Sequence, residues 1–431
     1  MQNERRVVIT GIGPVTPCGV GREAFFNSLK NAKSGITWLD NPVDAHGMES
    51  PVKLGGEIKN FNIEDYFSDA KLVKGMQKDM DKVSQFAMVA AKMLVEDAGL
   101  DFSALEAQGI SRERVATFVG TGIGGIQTTC DDAITLKERG LRRLGLRSII
   151  RLMPNAASGH IGINWGLQGR AKSDATACAS GLDSFFDAYW YIKNGLADIM
   201  LTGGAEACLN TLALSSFYNM TALSRRAVDN PEEASCPFDK RRDGFIMSEG
   251  ALLFSLEELS VAQARGAKIY AEVVGVGASC DAYHITAPAE DGNGGARAIK
   301  MALESAGLLN DREAIDFVSA HGTSTPLNDA RETAAVKSVF GEHAYKLAMS
   351  STKSMTGHLI GAAGPVALAA SVLAVNENIL SPTINYTEAD PECDLDYVPN
   401  QARNKETNYS IAQALGFGGH NTCAIVKKFS A

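Results

Sequence analysis

The sequence lacks the patterns that mark several classes of protein. Its eight cysteines include no C-x-x-C pair and no zinc-like spacing with histidine, so we expect free thiols and no metal site. In a chain of 431 residues, this cysteine usage also favours a reducing compartment. The first residues contain no apolar signal segment, which predicts a cytoplasmic protein. Acidic residues outnumber basic ones, and the formal net charge of −9 argues against binding to nucleic acid.

One charge-free run raises the question of a membrane span. Residues 359–375 carry no charge, but 17 residues are few for a span, and they include two glycines and a proline. We therefore predict a buried helix and no membrane segment. The chain as a whole is 45% hydrophobic and 21% charged, which is typical of a packed globular protein.

Short β-branched runs alternate with helical stretches in the first half of the chain. Residues 6–10, 115–119 and 199–202 are predicted strands, each ending at a glycine. Apolar residues at helical spacing predict helices over 83–98 and 180–194. Strands that alternate with helices indicate an α/β protein with largely buried sheets.

The second half of the chain repeats this pattern with different spacings. Residues 270–274 and 315–319 run into glycine or histidine-glycine, much as the first two strands of the first half run into glycine. We infer a duplicated architecture with insertions. The sequence predicts a first domain at 1–258 and a second at 259–431.

A cysteine lies between small residues and an amphipathic helix in the segment 173–182 (SDATACASGL). At a helix start, the Cys178 thiol feels the positive end of the helix dipole, which favours the thiolate. Small neighbours leave the sulfur accessible and allow a backbone N–H to face an oxyanion. Cys178 is therefore a candidate nucleophile, with a buried structural cysteine as the alternative.

Two further segments place histidines and a lysine beside glycine and hydroxyl residues. His321 follows a predicted strand in AHGTSTP, and Lys353 and His358 precede the charge-free run in STKSMTGH. A lone histidine at an apolar helix is more often structural, but this combination favours a site. With Cys178 it suits acyl transfer followed by carbanion formation, because neutral imidazoles can donate hydrogen bonds to an enolate oxygen.

Seven motifs make the chain resemble the β-ketoacyl-[acyl carrier protein] synthases, in particular the synthase II group of elongating condensing enzymes in the thiolase-like superfamily. The motifs extend over nearly the whole chain and are VVITGIGPVTPCG, ATACASG, PFDKRRDGF, HGTSTP, SSTKSMTGHLIGAAG, DPECDLDYVPN and GFGGHN. Thiolases would need a second catalytic cysteine, and chain-starting condensing enzymes would carry asparagine at position 358.

The resemblance implies a five-layered α-β-α-β-α fold built from two duplicated halves, and a homodimer. It also implies decarboxylative Claisen condensation of malonyl-[acyl carrier protein] with an enzyme-bound acyl group, so that a fatty acyl chain grows by two carbons. No metal or organic cofactor is implied, because the phosphopantetheine arm belongs to the acyl carrier protein. Two alternatives stay open: a ketosynthase of a polyketide or aryl-polyene pathway, and a non-catalytic chain-length partner subunit, which usually lacks the cysteine.

The resemblance further implies roles for the residues that chemistry singled out. Cys178 would accept the acyl group. His321 and His358 would assist decarboxylation of the malonyl group and stabilise the enolate. Lys353 would hold the histidine network, and Glu332 matches a buried carboxylate near that lysine.

Three more residues are implied around the substrate. Thr323 and Thr325 match hydroxyls that line the donor pocket. Phe417 matches the gate between the acyl pocket and the malonyl site, and its backbone N–H would form the oxyanion hole together with that of the nucleophile. The chain departs from the family at Leu415, where an aromatic residue is usual, and at Ser180, where type II enzymes often carry threonine. These departures concern the shape of the acyl pocket.

A basic stretch is the candidate docking site for the carrier protein. Residues 137–151 hold six basic residues against one acidic residue, a net charge of +5 in an acidic protein. Arg142, Arg143 and Arg147 belong to this stretch. Together with Lys74 they would attract an acidic carrier by electrostatic steering. A solvated helix face is the alternative interpretation.

Overall fold

The computed structural model describes residues 5–40 and 49–430 of the chain. The strands in these residues are β1 Val7–Thr16, β2 Gly19–Val20, β3 Thr37–Trp38, β4 Leu54–Gly55, β5 Val115–Gly120, β6 Ala171–Lys172, β7 Ile199–Glu206, β8 Gly250–Glu258, β9 Ala271–Cys280, β10 Phe317–Ser319, β11 Ala348–Ser350, β12 Ile379–Leu380, β13 Arg403–Asn404, β14 Tyr409–Gly416 and β15 His420–Lys427. The helices are α1 Arg22–Lys30, α2 Ala70–Asp79, α3 Lys82–Ala98, α4 Phe102–Ala107, α5 Ile126–Arg139, α6 Ser148–Leu152, α7 Ala156–Trp165, α8 Ser180–Lys193, α9 Thr211–Asn219, α10 Leu259–Ala264, α11 Asn293–Ser305, α12 Pro326–Phe340, α13 Lys353–Thr356 and α14 Ala363–Glu377.

The main sheet consists of two halves with the same strand order. Its path is β11-β10-β14-β15-β9-β1-β8-β7-β5-β6, and β2 pairs with β1 at the side. In the first half, β5 pairs in parallel with β6 and β7, and β8 is antiparallel to β1 and β7. In the second half, β10 pairs in parallel with β11 and β14, and β15 is antiparallel to β9 and β14. This repetition confirms the duplication that the sequence indicated. The division of the chain at 258/259 stays a prediction.

Three layers of helices alternate with the two half-sheets, so the fold has five layers. On the outer face of the first half, α3 packs against β1 and β8, and α7 packs against α3. On the outer face of the second half, α11 packs against β9 and β15, and α12 packs against α11. Between the halves, α8 and α14 pack against each other and bury the apolar side chains of the central layer. This arrangement confirms the α/β, thiolase-like fold that the resemblance implied.

Glycines lie inside the long strands instead of ending them. β1, β7 and β9 all continue past the glycines at which the sequence analysis placed their ends, so those ends were wrong. A Cβ atom on Gly13 would lie 2.0 Å from the carbonyl oxygen of Ala90 on α3. At the equivalent place in the second half, a Cβ atom on Gly277 would lie 2.3 Å from the carbonyl oxygen of Ala298 on α11. These glycines therefore serve close helix–strand packing, not turns.

The helices begin and end close to their predicted positions, because local signals set their ends. α3 starts after Asp81, whose carboxylate accepts a hydrogen bond from the Val83 N–H at 3.2 Å. It ends at Gly99, which adopts the left-handed conformation with φ 60°. α8 covers 180–193, one residue less than predicted.

The charge-free run forms a helix of the central layer. By length and composition, residues 360–377 could span a membrane, but 89% of this stretch is buried inside the protein. Within α14, every residue from 363 to 375 is buried. The run is therefore a core helix, as the sequence predicted.

Candidate active site

One cavity of about 370 Å³ brings most of the candidate residues together. Its walls include Cys178, His321, Thr323, Thr325, His358 and Phe417. Lys353 and Glu332 lie behind His321 and contact its backbone. The basic docking candidates lie elsewhere, on α2 and between α5 and α6.

The backbone around Cys178 fixes the sulfur at the start of α8. Cys178 lies in a 3₁₀ turn, Ala177–Ala179, directly before this helix. Ala177 has a left-handed backbone with φ 51°, a strained conformation of the kind that clusters at functional sites. The end of β14 touches the turn, since a Cβ atom on Gly416 would lie 3.3 Å from the Cys178 nitrogen. Two parts of the chain that are distant in sequence thus hold the thiol.

Burial and local polar groups act in opposite directions on the Cys178 thiol. Burial raises its pKa to about 12, whereas the Lys353 charge and backbone N–H groups of Phe417 and of Cys178 itself lower it. The helix start favours the thiolate, as expected from the sequence, but burial outweighs this effect. The resting thiol is therefore protonated, and it must lose its proton as it attacks a substrate.

The two histidines present N–H donors to the cavity. The Nδ1 atom of His358 accepts a hydrogen bond from the Ile360 N–H at 3.0 Å. The Nδ1 atom of His321 lies 3.5 Å from the Nζ atom of Lys353, which also donates to the His321 carbonyl oxygen at 2.6 Å. Because each Nδ1 faces a donor, the proton of each neutral ring lies on Nε2. The ring centroids are 5.3 Å apart, so the site offers two neighbouring Nε2–H donors.

Burial keeps both imidazole rings neutral. It lowers the pKa of His321 and of His358 well below 6.5, and the Lys353 charge lowers both pKa values further. Neutral rings can donate to a developing enolate oxygen without the energetic cost of a buried charge. The arrangement therefore suits stabilisation of a carbanion at neutral pH.

The depressed pKa of His358 should appear in the pH dependence of stability. Unfolded histidine binds a proton near pH 6.5, whereas the folded protein binds it only at lower pH, so stability is lost as pH falls below about 6.5. Relative to His358→Gln, the wild type should lose about 1.4 kcal/mol of unfolding free energy per pH unit in that window. Urea unfolding of both proteins from mildly acidic to neutral pH measures the difference. The control is His284→Gln on an exposed segment, and a flat difference for His358→Gln would contradict the expectation.

Lys353 and Glu332 are buried side by side behind His321. Glu332 accepts hydrogen bonds from the N–H groups of His321 at 2.6 Å and Gly322 at 2.7 Å. Burial raises the pKa of Glu332 to about 7 and lowers the pKa of Lys353 to about 8, while attraction between the two groups opposes both shifts. The pair holds the main chain of His321 from both sides.

A second carboxylate holds the threonine loop beside the cavity. The hydroxyl oxygens of Thr323 and Thr325 lie 2.9 Å apart on the cavity wall. Asp329 accepts hydrogen bonds from the N–H groups of Thr323 at 3.0 Å and Ser324 at 3.2 Å. The buried guanidinium of Arg242 lies 4.0 Å from the Asp329 carboxylate. Arg242 therefore supports the loop from outside the cavity, whereas Asp243 and Phe245 of the same motif, PFDKRRDGF, line it.

Phe417 lies on a glycine-rich segment at the cavity wall. Its ring stacks on Phe217 with a centroid distance of 6.3 Å and an interplanar angle of 26°. Gly418 and Gly419 have φ angles of 87° and 78°, a region that side chains disfavour. The Gly418 N–H donates to the Ile285 carbonyl oxygen at 2.7 Å. The Phe417 side chain thus lies beside backbone that requires glycine.

The predicted docking residues form a surface of their own. Arg142 and Arg143 lie in an exposed 3₁₀ turn between α5 and α6. Lys74 is exposed on α2. Arg147, directly before α6, forms an ion pair with Asp79 at the end of α2. This ion pair joins the connection between α5 and α6 to α2. The structure therefore places the four candidates on neighbouring elements, outside the cavity.

One buried carboxylate beside the site was not among the candidates. Glu206 ends β7 and accepts hydrogen bonds from the Thr121 hydroxyl at 3.0 Å, the Gly122 N–H at 2.7 Å and the Gly361 N–H at 3.1 Å. Burial raises its pKa to about 7. It joins three segments around Cys178. The signal in the sequence was an acidic residue at the end of a buried strand, in GGAE.

The fold and the cavity define a thiolase-like enzyme of acyl chemistry. A five-layered α/β fold surrounds a buried cysteine, two neutral imidazoles and a lysine. Over residues 5–40 and 49–430, no three histidine, cysteine, aspartate or glutamate side chains form a group that could hold a metal ion.

Comparison with known proteins gives the family. The chain matches "Beta-ketoacyl synthase, N-terminal domain" over residues 4–262 and "Beta-ketoacyl synthase, C-terminal domain" over residues 270–387, and it belongs to the β-ketoacyl synthase family. It is 42% identical over 431 residues to the 3-oxoacyl-[acyl-carrier-protein] synthase 2 of Staphylococcus aureus (strain COL), with both chains covered in full. These findings confirm the resemblance that the motifs indicated.

Two solved structures share the whole fold. A β-ketoacyl synthase from Burkholderia phymatum STM815 has a TM-score of 0.89 and 33% identity, with coverage of 99% of this chain and 100% of the other. A type II polyketide acyl-carrier protein in complex with its ketosynthase, bound to the hexaketide, gives a TM-score of 0.89, 33% identity and the same coverage.

Proposed function

We propose that the protein elongates acyl chains by two carbons through decarboxylative Claisen condensation with malonyl-[acyl carrier protein]. The observation that carries this proposal is the pair of Nε2–H donors, on His321 and His358, in one cavity with the Cys178 thiol. Such donors stabilise the enolate that forms when a malonyl thioester loses CO2. The name of the Staphylococcus aureus relative, 3-oxoacyl-[acyl-carrier-protein] synthase 2, supports the same reaction.

In the first half-reaction the enzyme takes up the acyl group. The Cys178 sulfur attacks the carbonyl carbon of the carrier-borne thioester, and a new S–C bond forms. The backbone N–H groups of Cys178 and Phe417 donate to the oxyanion of the tetrahedral intermediate. The carrier thiol leaves and takes up the proton that the cysteine loses. The acyl group then rests on the enzyme, and the free carrier departs.

In the second half-reaction the chain grows. The malonyl thioester loses CO2, and the electron pair of the broken C–C bond passes into an enolate. The enolate oxygen accepts hydrogen bonds from His321 and His358, while Lys353 holds His321 in place. The carbanion carbon attacks the acyl carbonyl, and the Cys178 sulfur leaves as thiolate and is then reprotonated. The product is a β-ketoacyl group that is two carbons longer.

The proposal includes the carrier, the assembly and the compartment. Acyl and malonyl groups would arrive on the phosphopantetheine arm of an acyl carrier protein, so the enzyme needs no metal or organic cofactor of its own. The structurally similar polyketide ketosynthase in complex with its acyl-carrier protein supports this partner. We expect a homodimer in the cytoplasm, without nucleic-acid or membrane partners.

A polyketide or aryl-polyene ketosynthase is the second candidate, with the same chemistry on a different chain. The 33% identity to a ketosynthase bound to the hexaketide favours it. Identity of 42% with a synthase 2 over the full length favours fatty acyl elongation. The presence of Cys178 argues against a non-catalytic chain-length subunit.

The mass of the products tests the proposal. The protein is incubated with malonyl-[acyl carrier protein] and with carrier loaded with short, medium or long saturated acyl groups. We expect one CO2 per turnover and a β-ketoacyl product two carbons longer than the acyl substrate. Repeated addition of unreduced two-carbon units would instead support the polyketide alternative. Failure to extend any of these acyl groups, by protein that is folded, would overturn the elongation of saturated acyl chains.

Charge reversal at the basic surface should weaken the encounter with the carrier. Arg142→Glu combined with Arg143→Glu should raise KM for carrier-linked substrate by about 10-fold and leave kcat nearly unchanged, because rim charges act on association. The difference should shrink in high salt, which screens exposed charges. Lys346→Glu, at an exposed position in the second half, is the matched control. An unchanged KM in the double variant would identify the surface as a solvated helix face.

Removal of the Phe417 ring should affect acylation more than decarboxylation. A ring beside flexible glycines can move to admit the acyl chain and then close the histidine side of the cavity. We expect Phe417→Ala to slow single-turnover acylation of Cys178, with a smaller change in malonyl decarboxylation by the acyl-free enzyme. Leu415→Phe, which restores the usual aromatic residue, should alter chain-length preference. Equal acylation rates in wild type and Phe417→Ala would contradict a gate.

A further inference from the structure

A carboxylate in the first turn of α8 joins the two backbone segments that flank the Cys178 sulfur. One oxygen of Asp183 accepts a hydrogen bond from the hydroxyl of Thr176, two residues before the cysteine. The other oxygen accepts from the hydroxyl of Thr422 on β15. A single side chain therefore links the turn that carries the thiol to the β14–β15 hairpin.

The hairpin contact lies next to the segment that carries Phe417. Thr422 pairs with Ala414 across the β14–β15 ladder, and β14 ends at Gly416, directly before Phe417. A Cβ atom on Gly416 would lie 2.7 Å from the carbonyl oxygen of Thr176, so the hairpin and the turn are in direct contact. The two hydrogen bonds of Asp183 span this contact and fix the position of the hairpin relative to the turn.

A carboxylate is the side chain suited to this bridge. Ionised aspartate has two acceptor oxygens, so it can bind one hydroxyl on each, whereas an amide offers a single acceptor oxygen. Burial raises the pKa of Asp183, and the hydroxyls of Thr176 and Thr422 oppose that shift by binding the charged form. Of the neighbouring charged groups, Asp174 raises the same pKa and His420 lowers it.

We propose that Asp183 is a positioning residue for acyl transfer. By holding Thr176 and Thr422 at a fixed separation, it sets the distance between the two backbone N–H groups that receive the oxyanion. This inference rests on the proposed function, since the oxyanion arises only when Cys178 accepts an acyl group. Misplacement of reacting or stabilising groups by about 1 Å can reduce a rate by about 100-fold.

The test compares two reactions of the same sulfur. Asp183→Ala should slow single-turnover acylation of Cys178 by about 10- to 100-fold, because acyl transfer passes through an oxyanion. Alkylation of Cys178 by iodoacetamide forms no oxyanion, so its rate should change by less than about two-fold. Asp183→Asn should be intermediate, since one acceptor oxygen remains. The matched control is Asp187→Ala, one turn later on α8, where the carboxylate pairs with Lys172.

A second variant keeps the test decisive if Asp183→Ala does not fold. Thr422→Val removes the hydroxyl with little change of shape and should slow acylation in the same selective way. Where both variants fold, the Asp183→Ala, Thr422→Val double variant should be no slower than Asp183→Ala, because both changes remove one bridge.

Two results would overturn the positioning role. One is normal acylation in the folded variants, and the other is an equal loss of acylation and alkylation, as a purely structural defect would produce. Acylation of Cys178→Ala, in contrast, would overturn the proposed function itself.

Discussion

Cys178→Ala is expected to abolish acyl transfer and chain elongation, with a loss of about 10⁴-fold or more in kcat, because Cys178 is the one thiol among the residues that line the cavity. The sulfur lies at the start of α8 on the wall of the cavity, and the N–H groups of Cys178 and Phe417 face it. Single-turnover transfer of a labelled acyl group from the carrier to the protein measures the effect. Labelled Cys178→Ala would contradict the assignment.

A companion variant separates the two half-reactions. Cys178→Gln should also lack condensation but should retain malonyl decarboxylation, since the donors on His321 and His358 remain in place. Release of CO2 from malonyl-[acyl carrier protein] measures this activity. Cys130→Ala, on α5 and outside the residues that line the cavity, is the control and should keep full elongation activity.

His358→Ala and His321→Ala should each reduce malonyl decarboxylation by about 10²- to 10³-fold, the loss typical of one missing oxyanion donor. Each change removes one of the two neighbouring Nε2–H groups, whose rings lie 5.3 Å apart. Acylation of Cys178 should fall less, because backbone N–H groups serve that step. Release of CO2 is measured in the Cys178→Gln background, so that condensation does not contribute.

The control for the histidine variants is His343→Gln, since His343 hydrogen-bonds to the Ile315 carbonyl oxygen outside the cavity. It should decarboxylate malonyl-[acyl carrier protein] at the rate of its parent. If His321→Ala and His358→Ala also keep that rate, the imidazoles do not stabilise the enolate, and the mechanism loses its main support. If acylation falls as far as decarboxylation, the rings act in both half-reactions.

Local composition made Cys178, His321 and His358 candidates, and the family resemblance then joined them in one site. His321 and His358 each stand beside a glycine, and Cys178 lies between two alanines in a segment of small residues. The structure brings all three to one cavity. The roles assigned to them stay predictions until the variants are measured.

Strand ends and supporting carboxylates were harder to predict. Gly13 and Gly277 resemble turn residues in the sequence, but each makes room for a helix that packs on the strand. Glu206 and Asp183 have partners far along the chain. The only local signal was the acidic residue of GGAE for Glu206, and no local pattern marked Asp183. Asp183 and Thr422, for example, are 239 positions apart. Such pairs depend on how the two halves pack together.

The sequence by itself determined the alternation of strands and helices, the duplication and the buried central helix, because these follow from periodicity and from local composition. Its motifs also made Cys178, His321 and His358 the candidates for the reactive side chains. The tertiary structure alone decided the protonation states and the support of the site. Burial raises the pKa of Cys178 to about 12 and lowers the pKa of both histidines, against or beyond what their neighbours in the chain indicate. Desolvation depends on everything that packs around a group, and most of those atoms come from residues distant in sequence.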